Sequence, residues 1–352
     1  MAERLLPRRT LLRLAASTGL GLPALSLLGG CRAEAAELLA VRGELPAGWA
    51  RRLPSPWRLR QLDDPAAVRA ALLPPAAGSA ASARPRTDGS PPALIQLGDG
   101  WATSLPRPSL QPIGTPALLA RLAPLAAPVQ RLFAPEGSPA LAWPWSLSPW
   151  VLVLRDRPDL AARAADGWDL LLDPSLAGRV VLPSSPRVTI ALVEGDLTRL
   201  RRLRAHALAS DDRDGLRLLL SGPAQAAVVP RQRVVPLLRS DPRLQVVLPA
   251  EGGPLTWNLL LRPTGDGPAP PIDWLAEILE PPLLPRLLAA GWVPPLPRPL
   301  LQQALKGFPA AMAAILLPPA VVQERWRDLP PLPAQERLAL QHLWDEAAPP
   351  PG

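Results

Sequence analysis

Proline sets the grain of this chain: 51 of its 352 residues are proline. Each one fixes φ and removes a backbone donor, so it ends or kinks a helix and leaves a ladder bond unmade in a sheet. Prolines set between apolar blocks therefore read as joints between short elements. The prolines carry no G-x-y period and are interleaved with apolar blocks. With 48% hydrophobic and 19% charged residues, the chain is neither a solvated disordered polymer nor a coiled coil. What remains is a globular protein of about two domains' length built from short elements joined by proline-rich turns.

A second bias lies beneath the first. Phe, Tyr, Met, Ile, Asn and Lys together supply twelve residues, and 37 of 38 basic residues are Arg. We read this as the mark of a GC-rich genome, so part of the Pro, Ala, Arg and Leu content reflects codon supply. The twelve Trp need another explanation in a chain with two Phe and no Tyr.

Residues 1–30 read as an export signal: a basic stretch (Arg4, Arg8, Arg9, Arg13), then an apolar run of about sixteen residues ending in small ones. Arg8-Arg9-Thr10-Leu11-Leu12 fits a twin-arginine pattern. Leu28-Gly29-Gly30-Cys31 fits a lipobox, which makes Cys31, the only Cys, the expected lipidation site of a periplasmic lipoprotein anchored to the membrane. Removing this segment takes the formal charge from +8 to about +5. The remaining charges are mixed, with no basic face of the kind nucleic acid requires. Gly19-Leu-Gly21 lies inside the signal and follows no strand, so it is not a dinucleotide fingerprint.

Short strands and helices alternate through the rest, which predicts an α/β protein. Strands are expected at 38–42, 93–97, 150–154, 179–182, 226–229, 244–248 and 257–262. Helices are expected at 65–73, 116–127, 159–166, 196–208, 212–220, 272–290, 298–316 and across 320–345. Residues 74–92 read as a surface loop.

Enzyme chemistry finds little footing. His206 and His342 stand far apart and no Cys cluster exists, so no metal site is expected. There is no phosphate-binding G-x-x-x-x-G-K-[ST] and no G-x-S-x-G elbow. Asp63-Asp64 and Asp211-Asp212-Asp214 read as helix-start carboxylates. The chain is expected to be no enzyme and to need no cofactor.

Several segments, taken in order, resemble the bacterial periplasmic solute-binding proteins of the spermidine/putrescine ABC-transporter type. They are Ala93–Pro112, Ala142–Arg155, Trp168–Val193 with its L-x-D-P-x-L-x-G turn, Leu219–Arg262 with L-S-G-x-A and P-x-E-G-G elements, and Pro318–Trp344. The resemblance runs over most of 38–345. It implies the two-lobed periplasmic-binding-protein fold (type 2), with two crossing strands near 150 and 255. Lobe one would comprise 32–150 plus 256–352, and lobe two 151–255. It also implies a small solute, polyamine-like, enclosed by cleft closure and delivered by a monomer to an ABC permease in the membrane.

The chain departs from that family where a polyamine needs carboxylates. The pocket loop Ser184-Ser185-Pro186-Arg187-Val188 has none, and Thr256 and Asn258 flank Trp257 where the family carries an Asp. The resemblance therefore implies a ligand site of Asp99, Trp101, Trp145, Ser185, Arg187, Trp257 and Asn258, for a polyamine or a less charged relative. For Asp99 the alternative is a turn-stabilising role, and for Asn258 a strand-end hydrogen bond. Trp143 and Trp150 join Trp101, Trp145 and Trp257 near the expected cleft. Trp168, Trp292, Trp326 and Trp344 suggest core packing. The alternative function is a degenerate binding-protein fold acting as an envelope interaction or assembly factor without transport.

Overall fold

Ala142–Arg155 forms one 14-residue strand, buried along nearly its whole length, and the rest of the chain is arranged about it. The computed structural model describes residues 35–72, 91–211 and 214–349. The expected export signal, Cys31 and almost all of the 74–92 segment lie outside the described residues.

In chain order the strands are β1 (Glu37–Val41), β2 (Arg58–Leu62), β3 (Leu94–Gly98), β4 (Leu110–Gln111), β5 (Ala142–Arg155), β6 (Val180–Leu182), β7 (Ala207–Ser210), β8 (Ala226–Pro230), β9 (Leu244–Val247), β10 (Gly253–Pro263) and β11 (Trp326–Arg327). They run β2-β1-β3-β10-β5-β8-β6-β7, with β4 and β11 added to β10 and β9 to β5. β1 is parallel to both β2 and β3, and β6 is parallel to β7 and β8. β10 is antiparallel to β3 and β5.

β5 belongs to two sheets in succession. Its first half, Ala142–Pro149, pairs with β10, and from Trp150 onward it pairs with β8 and then β9. The two prolines explain how. Pro144 sits where the register slips, since Leu259 faces Pro144 while Asn258 faces Ser146. The extra residue is a bulge, a position that tolerates a missing N–H. Pro149 is the last partner of β10, and the next residue starts the β8 ladder. The proline thus stands where the strand changes partners.

Two bodies of core follow from that change. One gathers β1, β3, the first half of β5, β10 and the helices of residues 274–317. The other covers both faces of the second half of β5. Side chains alternate along a strand, so Trp150, Leu152 and Leu154 enter one cluster and Val151 and Val153 the other.

The structure differs from the sequence reading in several elements. β2, the first half of β5, β7 and the helix Pro186–Leu192 were not anticipated. The expected 272–290 helix is two, Ile272–Glu277 and Leu283–Ala289, divided at Pro281-Pro282. The expected 298–316 helix is also two, Arg298–Ala304 and Ala310–Leu316, divided by Gly307 at φ +91° and Pro309. The final helix, Ala334–Glu346, packs on the cluster of Leu200 and Leu203, away from the core that the rest of residues 256–317 build. Arg204 lies 3.9 Å over the Trp344 ring, and Arg201 pairs with Glu346 at 3.0 Å.

Candidate functional site

Parallel strands present their carboxyl ends along one edge, the usual place for a ligand in an open α/β sheet. Here the ends of β1 (Val41), β3 (Gly98), β7 (Ser210) and β8 (Pro230) converge on a cleft of about 530 Å³, with Ser184 just beyond β6. The cleft draws on both sides of the β5 crossing. From one side come Arg42, Glu44, Asp63, Gln96, Trp101 and Asn258, and from the other Trp150, Asp211, Gln232 and Arg233.

Its floor is a chain of amides on three adjacent strands. Gln96 Oε1 accepts the Val41 N–H at 3.1 Å, and Gln96 Nε2 donates to Asn258 Oδ1 at 3.2 Å. Asn258 Nδ2 donates to Ser146 Oγ at 3.1 Å. All three side chains are buried, and a buried polar group costs little only when it is paired. Asn258 ties the strands together and also lines the cleft.

The helix Arg231–Val234 closes the cleft from the other side. Arg231 is fully buried and donates to the carbonyls of Leu316 (2.9 Å) and Leu147 (3.3 Å). Burial without a counter-charge pushes its pKa down to about 9. The Gln232 N–H donates to Ser148 Oγ at 3.3 Å. Gly291, at φ +86°, lies against this helix; a Cβ there would stand 2.9 Å from Gln232 Cα. Close approach and a left-handed backbone together require glycine. These contacts seat Gln232, 6% exposed, whose Oε1 makes no hydrogen bond among the described residues.

The charges of the cleft are mostly committed. Arg42 Nε meets Asp63 Oδ1 at 2.5 Å. Asp211 Oδ1 accepts the Asp214 N–H at 3.0 Å. Glu44 makes no side-chain hydrogen bond or ion pair among the described residues. Burial pushes its carboxyl above the ordinary value, and Arg233 acts against this.

Of the residues singled out from the sequence, the structure places Trp101 and Asn258 on the cleft wall. Trp101 is 40% exposed. Ser185 is the N-cap position of the helix Pro186–Leu192, next to the lining Ser184. The remaining four are elsewhere. Asp99 is buried behind the wall, where its Oδ1 accepts the Trp257 N–H (3.0 Å) and the Thr256 hydroxyl (3.2 Å). Desolvation raises its pKa to about 6, and nearby Asp328 adds to this. Trp145 and Trp143 are fully buried in the first core, in an aromatic group with Trp49 and Trp292. Trp257 faces away from the cleft and donates its Nε1 to Asp328 Oδ1 at 2.7 Å. Arg187 lines a separate cavity of about 620 Å³ beside Asp328 and Leu329 and donates to the Leu329 carbonyl at 3.2 Å.

Glu44, Gln232 and Arg233 escaped the sequence reading. Gln232 and Arg233 carried one usable signal, polar side chains just past the carboxyl end of an apolar strand. Glu44 carried none. For Trp257 the signal ran the other way: side chains alternate along a strand, so it cannot share a face with Thr256 and Asn258.

The α/β architecture, with β5 passing from one sheet to the other, is shared with solved structures of other proteins. No protein-family profile and no curated protein matches the chain. Solved structures do. A spermidine/putrescine substrate-binding protein from Streptococcus pneumoniae superimposes with a TM-score of 0.66 at 11% identity, over 89% of this chain and 98% of that one. A putative spermidine/putrescine ABC transporter protein from Listeria monocytogenes gives 0.62 at 12%, over 89% and 98%. A lipoprotein of Treponema pallidum gives 0.60 at 12%, over 89% and 99%. At these identities the likeness is one of fold.

Proposed function

We propose that this chain is an extracytoplasmic solute-binding protein that delivers a small solute to an ABC importer, and that Cys31 anchors it to the membrane as a lipoprotein. The observation that carries the reading is the cleft. About 530 Å³ of space, lined by residues from both sides of a single crossing strand, suits a solute of small-molecule size. Rotation of one side against the other about Pro149 and Trp150 would enclose it, a hinge motion common to two-lobed binding proteins. The proposed ligand contacts are Trp101 and Asn258 from the sequence reading, together with Glu44 and Gln232. The solute is a polyamine or a less charged relative.

A thermal-shift screen of the secreted protein against polyamines, amino acids, thiamine-like and sugar-like solutes tests this. A ligand that binds the native state raises the melting temperature by mass action. Stabilisation by one class supports the reading. Failure of every class, with the protein folded, overturns it in favour of an envelope interaction or assembly role. Mass spectrometry of the mature N-terminus tests the anchor. A lipid-modified Cys31 is expected, and an unmodified terminus upstream of it rejects the assignment.

A further inference from the structure

Arg231 carries a charge that the solute-binding reading does not use, and the charge is costly where it stands. The residue is fully buried and has no ion pair among the described residues. Only good hydrogen bonds offset the desolvation of such a group. All of those it makes run to backbone carbonyls. Nη1 donates to Leu316 at 2.9 Å and to Ile315 at 3.3 Å, and Nη2 donates to Leu147 at 3.3 Å. Nε makes no hydrogen bond among the described residues. The Trp326 ring lies 5.8 Å from the guanidinium, within reach of a cation–aromatic attraction.

The backbone of Arg231 and the carbonyls it holds belong to different bodies of core. Arg231 follows directly on β8, whose residues Ala226 to Val229 pack in the second body. Leu147 and Leu316 are core residues of the first body, and Ile315 packs against it. The helix Arg231–Val234 is shared in the same way: Val234 packs in the second body, and Val235, just past its end, in the first. Ile315 and Leu316 close the helix Ala310–Leu316, where carbonyls have no partner within the helix. Leu147 stands two residues before Pro149, where β5 changes partners. Trp150 pairs with Pro230, the last residue of β8. Past that point β5 is supported by the Arg231 guanidinium on Leu147 and by the Gln232 N–H on Ser148 Oγ.

Resting on the hinge of the solute-binding reading, we infer that Arg231 is the pin of that hinge. Its guanidinium, anchored on the carbonyls of Leu147, Ile315 and Leu316, holds the angle between the two bodies and so sets how readily the cleft opens and closes. Rotation about Pro149 and Trp150 carries the helix Arg231–Val234 along with β8 and draws the guanidinium off the carbonyls of the first body. A buried charge stripped of those bonds is costly, so the arrangement that keeps them is favoured. Gln232 and Arg233, which line the cleft, follow at once in the chain. A solute that touches either one acts on the pin through one or two peptide units. Arg231 does not itself line the cleft, so its role is that of a positioning residue.

Pulsed electron spin resonance of the secreted protein, with no solute added, tests this. Spin labels at Leu125→Cys and Leu208→Cys, in a Cys31→Ser background, report the distance between the bodies. Both leucines are exposed; Leu125 adjoins Ala126 of the first core, and Leu208 lies on β7, in the sheet of the second. With Arg231 in place a single distance is expected. Arg231→Met keeps the stem and removes the donors, and it should add a second distance population of about 10% or more. Arg231→Lys keeps the charge without the planar fork and should fall between the two. Leu200→Ala opens a cavity in the second body. It should lower the melting temperature and leave the distance single, which separates a hinge effect from lost stability. A folded Arg231→Met protein with the original distance distribution overturns the inference. So does a second population of the same size in Leu200→Ala. Should the Met variant fail to fold, the Lys variant decides. Failure of both to fold also overturns the inference, because it assigns Arg231 to the fold and not to the hinge. None of these outcomes depends on a solute, so the solute screen and the pin stand or fall separately.

Discussion

Gln96 Nε2 donates to Asn258 Oδ1 at 3.2 Å, a side-chain link between β3 and β10 at the floor of the cleft, added to their backbone ladder. Asn258 passes the connection on to Ser146 of β5. Replacing Asn258 by Ala leaves the Gln96 amide and the Ser146 hydroxyl without their shared partner. A buried group left unpaired costs about 1–3 kcal/mol. Asn258→Ala should therefore lower the urea midpoint by that equivalent, with the m-value unchanged. An unchanged midpoint would mean that water replaces the amide at no cost and that the side-chain bonds add nothing to the backbone ladders.

Asp99 makes the stability of the protein fall with rising pH. Its carboxyl is buried and its pKa is raised from 3.8 to about 6. A folded-state pKa above the unfolded value means that the native state holds the proton more tightly. The stability it contributes is present below about pH 4 and is lost as pH rises through about 6. The shift corresponds to about 3 kcal/mol. Asp328, which accepts the Trp257 indole N–H, is also raised by burial and acts with the same sign. Asp99→Asn keeps an oxygen for the Trp257 N–H and removes the titration. Its denaturation free energy should vary less between pH 4.5 and 7 than that of the unaltered protein. Equal slopes would assign the pH dependence to other groups.

The sequence carried the α/β class and most short strands, because apolar runs and prolines are local signals. It carried less of the site. The tryptophans show why. Residues near the ends of strands were gathered toward the cleft by their positions along the chain. Trp143, Trp145 and Trp257 are instead buried at 0% exposure, filling a core that has no Tyr and only two Phe to fill it. Trp101 and Trp150, of the same residue type, do line the cleft. What separates them is the direction of each side chain across the sheet, which needs the register of β5 and β10. The bulge opposite Asn258 shifts that register by a residue, and a one-residue shift exchanges the faces. Glu44 and Gln232 come from segments nearly two hundred residues apart, and no local pattern announces that both line one cleft.

Trp49 is the centre of the aromatic group. It stacks on Trp274 with ring centroids 4.1 Å apart and planes at 10°. Each indole Nε1 donates to the other residue's carbonyl, at 2.9 and 3.0 Å. Trp49 also contacts Trp143 and Trp145, with the ring planes tilted by 52° and 54°. Removing its side chain opens a cavity and leaves the Trp274 carbonyl without its donor, while the Trp274 indole keeps the backbone carbonyl of residue 49. Trp49→Ala should cost about 3–5 kcal/mol, and Trp49→Phe less, because a ring is kept and only the Nε1–H donated to the Trp274 carbonyl is lost. Chemical denaturation of both variants checks the order. An alanine variant as stable as the phenylalanine one would show that the cavity collapses without loss.

The final helix, Ala334–Glu346, is held on its neighbour by a small set of contacts, so it should be the first part to come away. Its side chains are mostly exposed, with none of its own residues fully buried. Arg204 supplies a guanidinium 3.9 Å above the Trp344 ring and a hydrogen bond to the Trp344 carbonyl. Arg201 adds an exposed ion pair to Glu346, which contributes at most about 1 kcal/mol. Arg204→Ala removes the cation–aromatic contact and the hydrogen bond together, a loss of about 1–2 kcal/mol. Regions with few buried contacts open by local unfolding, independently of the global transition. Hydrogen exchange in 334–346 should therefore accelerate roughly five- to thirtyfold in Arg204→Ala, while β5 and β10 keep their protection. If exchange rises equally in those strands, the helix is part of the cooperative core and the contact with Trp344 bears on the whole fold.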